Sequence, residues 1–518
     1  MVLKRLILIK TLLLLICSAG KVYPAGLVDL KIYLKNDKSL KSLYQSNNFS
    51  PIWVDNNFKD KTEKLRNLIE NLDKEGLNPS NYNFFLSRNP VKDEIELSKL
   101  TLKICLDLYN GTIDPKDIFE TWNLPKKKFN KHKELATIIK ENQLENLPQL
   151  CQPNYEGYLA LRQYLSKYYE IMASYPSLPK INKKLKSKIK DQEVKKLRQL
   201  LYIYGFYNGN INSDIYDDKL LESVKRFQES RNLEADGVIG AKTLNELNRP
   251  LNELINIIKI NMEKYRWLPE NLAKNRIEAN IPSFELKYYE NNTEVLSTEI
   301  IVGKNYKGDF RPTPIYYGKI EKITINPYWH VPKKIAAKDI LKKIKSNPRF
   351  LEDFGFKVFY NGQEVDYKKI NWRKYNENNF GFTLTQSPSD KNFLGRIKMT
   401  FSNPFQVYLH DTPFKELFKH KKRVFSSGCI RINNPLSLTS YILNKDKSKI
   451  LNYIDSNKTI DLAPSKDIYV YIFYFTALVK NNTTYFYEDL YDFDKKILNI
   501  MLSIRVFQNS SKLTFPSF

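Results

Sequence analysis

The chain is predicted to be an α+β multidomain protein with a helical N-terminal part, a small three-helix unit and a sheet-rich C-terminal half. Three observations predict this. Apolar residues recur at helical spacing up to about residue 180, a lysine-rich segment INKKLKSKIK (181–190) interrupts them, and apolar and polar residues alternate from residue 276 onward. With 518 residues, of which 42% are apolar, the chain can hold about three domains with sizeable cores.

The first segment is MVLKRLILIKTLLLLICSAG. Lys4 and Arg5 precede an apolar run from Leu6 to Ile16, broken only by Lys10 and Thr11, and small residues Ser18, Ala19 and Gly20 follow. This is the pattern of a secretory signal peptide over residues 1–20. The run is too short to span a bilayer comfortably. Cys17 lacks the small neighbours of a lipoprotein cleavage site. An uncleaved signal serving as a loose membrane contact is the alternative.

Residues 27–180 are expected to form a helical domain. Leu65, Leu68 and Leu72 share a helical face, which EGLNPSNY (75–82) terminates with Gly and Pro. Leu102 to Tyr109 is a second amphipathic stretch, closed by NGTIDP, and Tyr158 to Met172 a third. Residues 188–250 form the compact unit. Asp191 and Asp217 are expected N-caps, Gly205 a helix stop and Asp236-Gly237 a turn. About 60 residues make little core, so this unit is expected to lean on its neighbours.

Residues 276–480 are read as the sheet-rich domain. Ile277, Ala279 and Ile281 alternate, Asn291-Asn292 is a turn, and strands are expected at 396–401, 406–410 and 467–478. Residues 333–392 read as an insertion able to form a lid. Residues 481–518 are a C-terminal extension without a reading.

The net charge of +26 and pI near 9.5 favour an anionic partner: nucleic acid, membrane headgroups or an acidic wall polymer. Lysines spread along the chain are equally consistent with a general lysine bias. No zinc-finger spacing or RNA-binding aromatic signature occurs, which disfavours nucleic acid.

Loss of a signal peptide would leave Cys105, Cys151 and Cys429, an odd number for an exported protein, hence one free thiol. Cys105 and Cys151 are close enough in sequence to be candidates for pairing. Cys429 sits in FSSGCIRI (425–432), a polar setting. His410 ends the alternating stretch QVYLHDTP, 19 residues earlier. A loop return can bring the two together, giving a thiol nucleophile its base. Gly428 permits a sharp turn, and the amides of Gly428 and Cys429 can face a developing oxyanion. A buried structural thiol is the main alternative. A zinc site from His410, His420 and Cys429 lacks compact spacing and a fourth ligand.

Residues 224–248, VKRFQESRNLEADGVIGAKTLNELN, resemble the peptidoglycan-binding type 1 domain. The segments WLP (267–269), VGK (302–304), RPTP (311–314), NPYWHVP (326–332), LGRIK (394–398), VYLHDTP (407–413) and SSGCIRI (426–432) resemble the YkuD-like L,D-transpeptidases. Ser427 stands where most members carry a second His, a departure shared with the large periplasmic subgroup, whose scaffold domain EGLNPSNY and GTIDP resemble. The resemblance implies a periplasmic enzyme with a β-sandwich-like catalytic domain, and peptidoglycan stem peptides as partners. Cys429 would be the nucleophile and His410 the general acid/base, with no cofactor and no metal. It would form 3→3 cross-links through a thioester. Water or a protein amine as acceptor, or a silent wall-binding scaffold, are the other readings. Arg431, Tyr408, Ser427 and Trp329 are candidate substrate contacts. Asp411 is a candidate orienter of His410, although a backbone carbonyl is an equal alternative for that role. His330 is expected to shape the groove, with His132 and His420 at the surface. The sequence leaves the oligomeric state open.

Overall fold

A computed structural model describes residues 30–510 apart from 31–33, 35, 36, 46 and 88, with backbone alone for 504–510. The expected signal peptide lies outside the described residues. Among those residues, no helix is long and apolar enough to cross a membrane.

The helical part is built as its periodicity dictates. Helix Phe58–Glu70 buries Leu65 and Ile69, and helix Pro90–Asn110 buries Ile95, Leu102 and Leu108. Asn89 caps the second helix by accepting the Val91 and Lys92 amides, with Pro90 at its first position. The buried Glu94 carboxylate takes the Ile52 and Val54 amides at 2.8 Å and the Tyr44 hydroxyl at 2.7 Å. Cys105 is bonded to Cys151, closing a 46-residue loop. A cross-link of that span restricts the unfolded chain by about 4 kcal/mol in the loop-entropy account.

The small unit follows its expected signals. Asp191 accepts the Glu193 amide and Asp217 the Leu220 amide, both at 2.9 Å. Gly205 ends the first helix with φ +81°. Leu197, Val224 and Phe227 share one core with helix Glu156–Ser174, helix Leu251–Arg266 and the hairpin at 477–486. The unit therefore does lean on its neighbours.

The sheet-rich half contains β1 (Arg276–Asn280), β2 (Glu285–Glu290), β3 (Thr293–Ile301), β4 (Lys304–Tyr306), β5 (Asp309–Arg311) and β6 (Tyr316–Ile325). Next come β7 (Trp329–His330), β8 (Phe356–Tyr360), β9 (Gln363–Glu364), β10 (Phe382–Gln386), β11 (Ile397–Phe401), β12 (Leu409–His410) and β13 (Ile430–Ile432). The last are β14 (Ile460–Leu462), β15 (Tyr469–Phe473), β16 (Ala477–Lys480) and β17 (Thr483–Phe486). The main sheet runs β11-β12-β13-β3-β2-β1-β15-β6-β14, and β6 also pairs with β11. The long β6 thus serves two sheet faces: residues 316–319 pair with β15 and residues 320–325 with β11. The two faces close on one core of Ile, Val and Leu side chains. The β2–β3 turn is made by Asn291 and Asn292, both at positive φ.

Three expectations change. The 406–410 strand is only Leu409–His410, because Gln406 takes φ +55° and Asn403 ties the preceding loop by accepting the Phe405 and Val407 amides. The 333–392 insertion is a folded subdomain with its own core, and it recruits β7 and Leu394 from outside those limits. The break at 480/481 falls within the β16–β17 hairpin, and the extension beyond it is part of the core. Leu490, Tyr491 and Ile497 join the main cluster, and the buried Asp494 pairs with Lys264 and accepts the Thr476 hydroxyl.

Asp494→Ala should therefore leave the Lys264 ammonium buried and unpaired, at a cost of about 3 kcal/mol. Urea unfolding monitored by circular dichroism checks this; an unchanged midpoint would contradict the role given to the C-terminal segment.

Candidate active site

Strands β12 and β13 are parallel neighbours, with Leu409 opposite Ile430 and His410 opposite Arg431. Leu409 and Ile430 are fully buried in the main core. Side chains alternate across a strand, so Tyr408, His410, Cys429 and Arg431 all project from the other face. All four line one cavity of about 490 Å³. Its far wall is the inserted subdomain, through Trp329, Asp339, Ile340 and Lys343. Two larger clefts, of about 820 and 780 Å³, lie away from Cys429.

The cysteine loop is anchored by Val424 in the main core and held by hydrogen bonds. Ser426 donates its amide to the Val302 carbonyl (2.9 Å) and its carbonyl accepts the Lys304 amide (3.0 Å). Its hydroxyl donates to the Cys429 carbonyl and accepts the Gly428 amide at 3.1 Å. Thr313 donates to the Gly428 carbonyl at 2.9 Å and accepts the Gly303 amide at 2.9 Å. Gly428 has φ +118°, a region closed to side-chain-bearing residues. Of the two amides expected to face an oxyanion, Gly428 N–H is engaged by Ser426, whereas Cys429 N–H meets no acceptor among the described residues.

Asp411 does not orient His410. Its carboxylate accepts the Arg396 amide at 2.9 Å and the Lys415 ammonium at 2.7 Å. The backbone of Asp411 and Leu394 favours the protonated ring, but Nδ1 has no hydrogen-bond partner among the described residues. Burial outweighs them, and with Arg431 it pushes the His410 pKa down to about 3. Burial likewise pushes the Cys429 thiol up, against opposing pulls from the Tyr408 backbone, Arg431, Lys398 and the Tyr408 hydroxyl. The resting pair is a neutral imidazole and a neutral thiol.

Arg431 is half-buried in the cavity wall, where burial disfavours its charge while Cys429 and Glu416 favour it; its Nε is without a hydrogen-bond partner and its guanidinium without an ion pair among the described residues. Tyr408 stacks its ring edge on His410, and Lys398 Nζ lies 4.2 Å above that ring. Trp329 packs on Phe393 at 5.2 Å within the subdomain core and borders the cavity. Ser427 is exposed and accepts a hydrogen bond from Arg311 at 2.8 Å. His330 is exposed beside Thr385, and His420 is exposed at another cleft. His132 is not a free surface residue: it is half-buried against Phe129 and Ser39. Among the described residues, no group of three His, Cys, Asp or Glu side chains is arranged to hold a metal ion.

Sequence reasoning assigned no role to Lys398 or Lys343. Lys398 lies opposite His410 in the β11–β12 register, while Ile397, Met399 and Phe401 point into the core. The alternation of IKMTF carried that signal. Lys343 comes from the inserted subdomain, and only the tertiary fold brings it near Arg431.

The depressed His410 value has a stability consequence. Between about pH 6.5 and pH 3 the unfolded chain binds a proton at His410 that the folded chain does not, so stability falls as pH falls. His410→Gln should flatten the pH dependence by about 1.4 kcal/mol per pH unit across that window. Urea unfolding series at several pH values measure it; identical slopes in both proteins would contradict the buried, neutral imidazole.

Comparison with known proteins adds the family. The L,D-transpeptidase catalytic domain (YkuD) matches residues 274–450, the "Scaffold domain" residues 38–165 and the "Putative peptidoglycan binding domain" residues 190–247. A curated Haemophilus influenzae protein named "Putative L,D-transpeptidase" is 31% identical over 244 residues, 46% of this chain and 48% of that relative. The match thus spans about half the length of the relative. Among solved structures, an L,D-transpeptidase from Stackebrandtia nassauensis aligns over 57% of this chain and 97% of its own, at 11% identity and TM-score 0.23. One from Xylanimonas cellulosilytica aligns over 57% and 100%, at 12% and 0.18. Residues 274–450 thus match the L,D-transpeptidase catalytic domain, on one chain with matches to a scaffold domain and a peptidoglycan-binding domain.

Proposed function

We propose that this protein is an exported, periplasmic peptidoglycan L,D-transpeptidase that forms 3→3 cross-links through a thioester on Cys429. The observation that carries this reading is the shared face: His410, Cys429 and the unpaired Arg431 all border one cavity. The donor is a tetrapeptide stem whose third residue, a meso-diaminopimelate in most such walls, presents its carbonyl to Cys429.

The resting groups are both neutral, so proton transfer accompanies attack instead of preceding it. His410 accepts the thiol proton as Sγ bonds to the carbonyl carbon. The Cys429 N–H receives the oxyanion, and the nearby Arg431 and Lys398 charges favour anionic sulfur. Collapse breaks the bond to the terminal D-alanine, whose amine takes the proton from His410. A side-chain amine of a second stem then attacks the thioester, passes its proton to His410, and releases the sulfur as the thiol. Arg431, half-buried and without an ion pair among the described residues, is suited to a stem carboxylate, with Lys343 adding charge from the subdomain side. Tyr408 and Trp329 shape the donor groove. The peptidoglycan-binding domain keeps the wall polymer near the site.

Mature protein given a tetrapeptide muropeptide should yield 3→3 dimers by mass spectrometry, and Cys429→Ala should yield none; dimers from that variant would refute the assignment. Tripeptide alone, or a stem–protein conjugate, would assign water or a protein amine as acceptor. Arg431→Gln should lower kcat/KM about 10- to 100-fold, as expected for loss of a charge-assisted hydrogen bond. An unchanged kcat/KM would remove Arg431 from the binding site.

A further inference from the structure

The motif RPTP (311–314) enters no step of the reaction, yet Arg311 touches three separate parts of the site. Its side chain is 10% exposed, and its Nε donates to Asp309 Oδ1 at 2.7 Å within its own hairpin. Nη2 donates to Asp339 Oδ1 at 2.8 Å, and Nη1 donates to the other Asp339 oxygen. Nη1 also donates to Ser427 Oγ at 2.8 Å, two residues before Cys429. Asp339 belongs to the helical run 333–346 of the inserted subdomain, and it lies in a π-turn at Ala336–Ile340. Such a turn displaces a side chain from the regular helical face and often marks a functional position.

The other hydrogen bonds that leave the cysteine loop run to Val302, Lys304, Thr313 and, from the Cys429 thiol, the Gln406 carbonyl, all in the sheet-rich half. Lys304 reaches Asp339 with its ammonium only at 3.9 Å. The guanidinium is therefore the short link between subdomain and loop among the described residues. A two-point guanidinium–carboxylate pair fixes angle as well as distance, which an ammonium does not. This gives Ser427 a role of its own: its hydroxyl receives Arg311.

We propose that Arg311 is a positioning residue that holds the Cys429 loop and the subdomain wall in one register, with Asp339 and Ser427 as its two handles. It touches no reacting atom. The proposal rests on Cys429 being the reactive thiol of the reading above.

The test is a double-mutant cycle on the full chain. The readouts are the iodoacetamide alkylation rate of the Cys429 peptide, which needs no turnover, and kcat/KM with a tetrapeptide donor. Asp339→Asn, remote from the reacting atoms, should slow alkylation about tenfold, and Ser427→Ala comparably. The double variant should be no slower than the slower single one, because both cut the same link. Arg311→Lys should behave like Asp339→Asn, since an ammonium cannot span both handles. A slowing of less than about threefold in Asp339→Asn, or a double variant whose loss is the product of the two singles, would overturn the proposal. Should Asp339→Asn fail to fold, Arg311→Lys combined with Ser427→Ala decides by the same criteria. An unsubstituted protein that alkylates at Cys429 but makes no product counts against the transpeptidase reading and leaves the Arg311 coupling to be judged by the alkylation rates.

Discussion

The parallel pairing of β12 with β13 is the constraint on which the site depends. One register, Leu409 against Ile430, sends those two side chains into the core and leaves Tyr408, His410, Cys429 and Arg431 on the cavity side. A slip by one residue would reverse every one of them. Burying Leu409 and Ile430 is therefore what aims the histidine and the cysteine. The surrounding loop is held by Val424 in the core and by hydrogen bonds with Val302, Lys304, Thr313 and Ser426.

Burial sets the electrostatics as well as the geometry. It lowers His410 and raises Cys429, so the site disfavours an imidazolium–thiolate pair. Arg431 and Lys343 put positive charge on the cavity wall, beside Asp339 and Glu416 of opposite sign.

Much of this was legible in the sequence where the signal is local. Asp191 and Asp217 cap helices, Asn291-Asn292 turns a hairpin, and Gly428 takes a conformation its neighbours cannot. Each depends on a few adjacent residues. His410 and Cys429 were legible as a pair because a strand end and a loop return are only 19 residues apart. What was not legible depends on contacts across the chain. Arg311 reaches Ser427 over 116 residues, and Tyr491 supports Gly303 from 188 residues away. The C-terminal helix shows its purpose only once Asp494 finds Lys264. The Gly428 amide was misjudged because Ser426, one of two adjacent serines, turns inward to accept it. The subdomain borrows β7 from before its expected start, and no local pattern marks that pairing.

The central claim is that Cys429, shaped by this cavity, is an acylating nucleophile. Intact-mass analysis after carbapenem treatment tests it most directly, since such a ligand acylates a competent thiol without needing an acceptor. The account predicts a single stoichiometric adduct that maps to Cys429 and is absent from Cys429→Ala. An unmodified protein, or an adduct that survives the substitution, would contradict it.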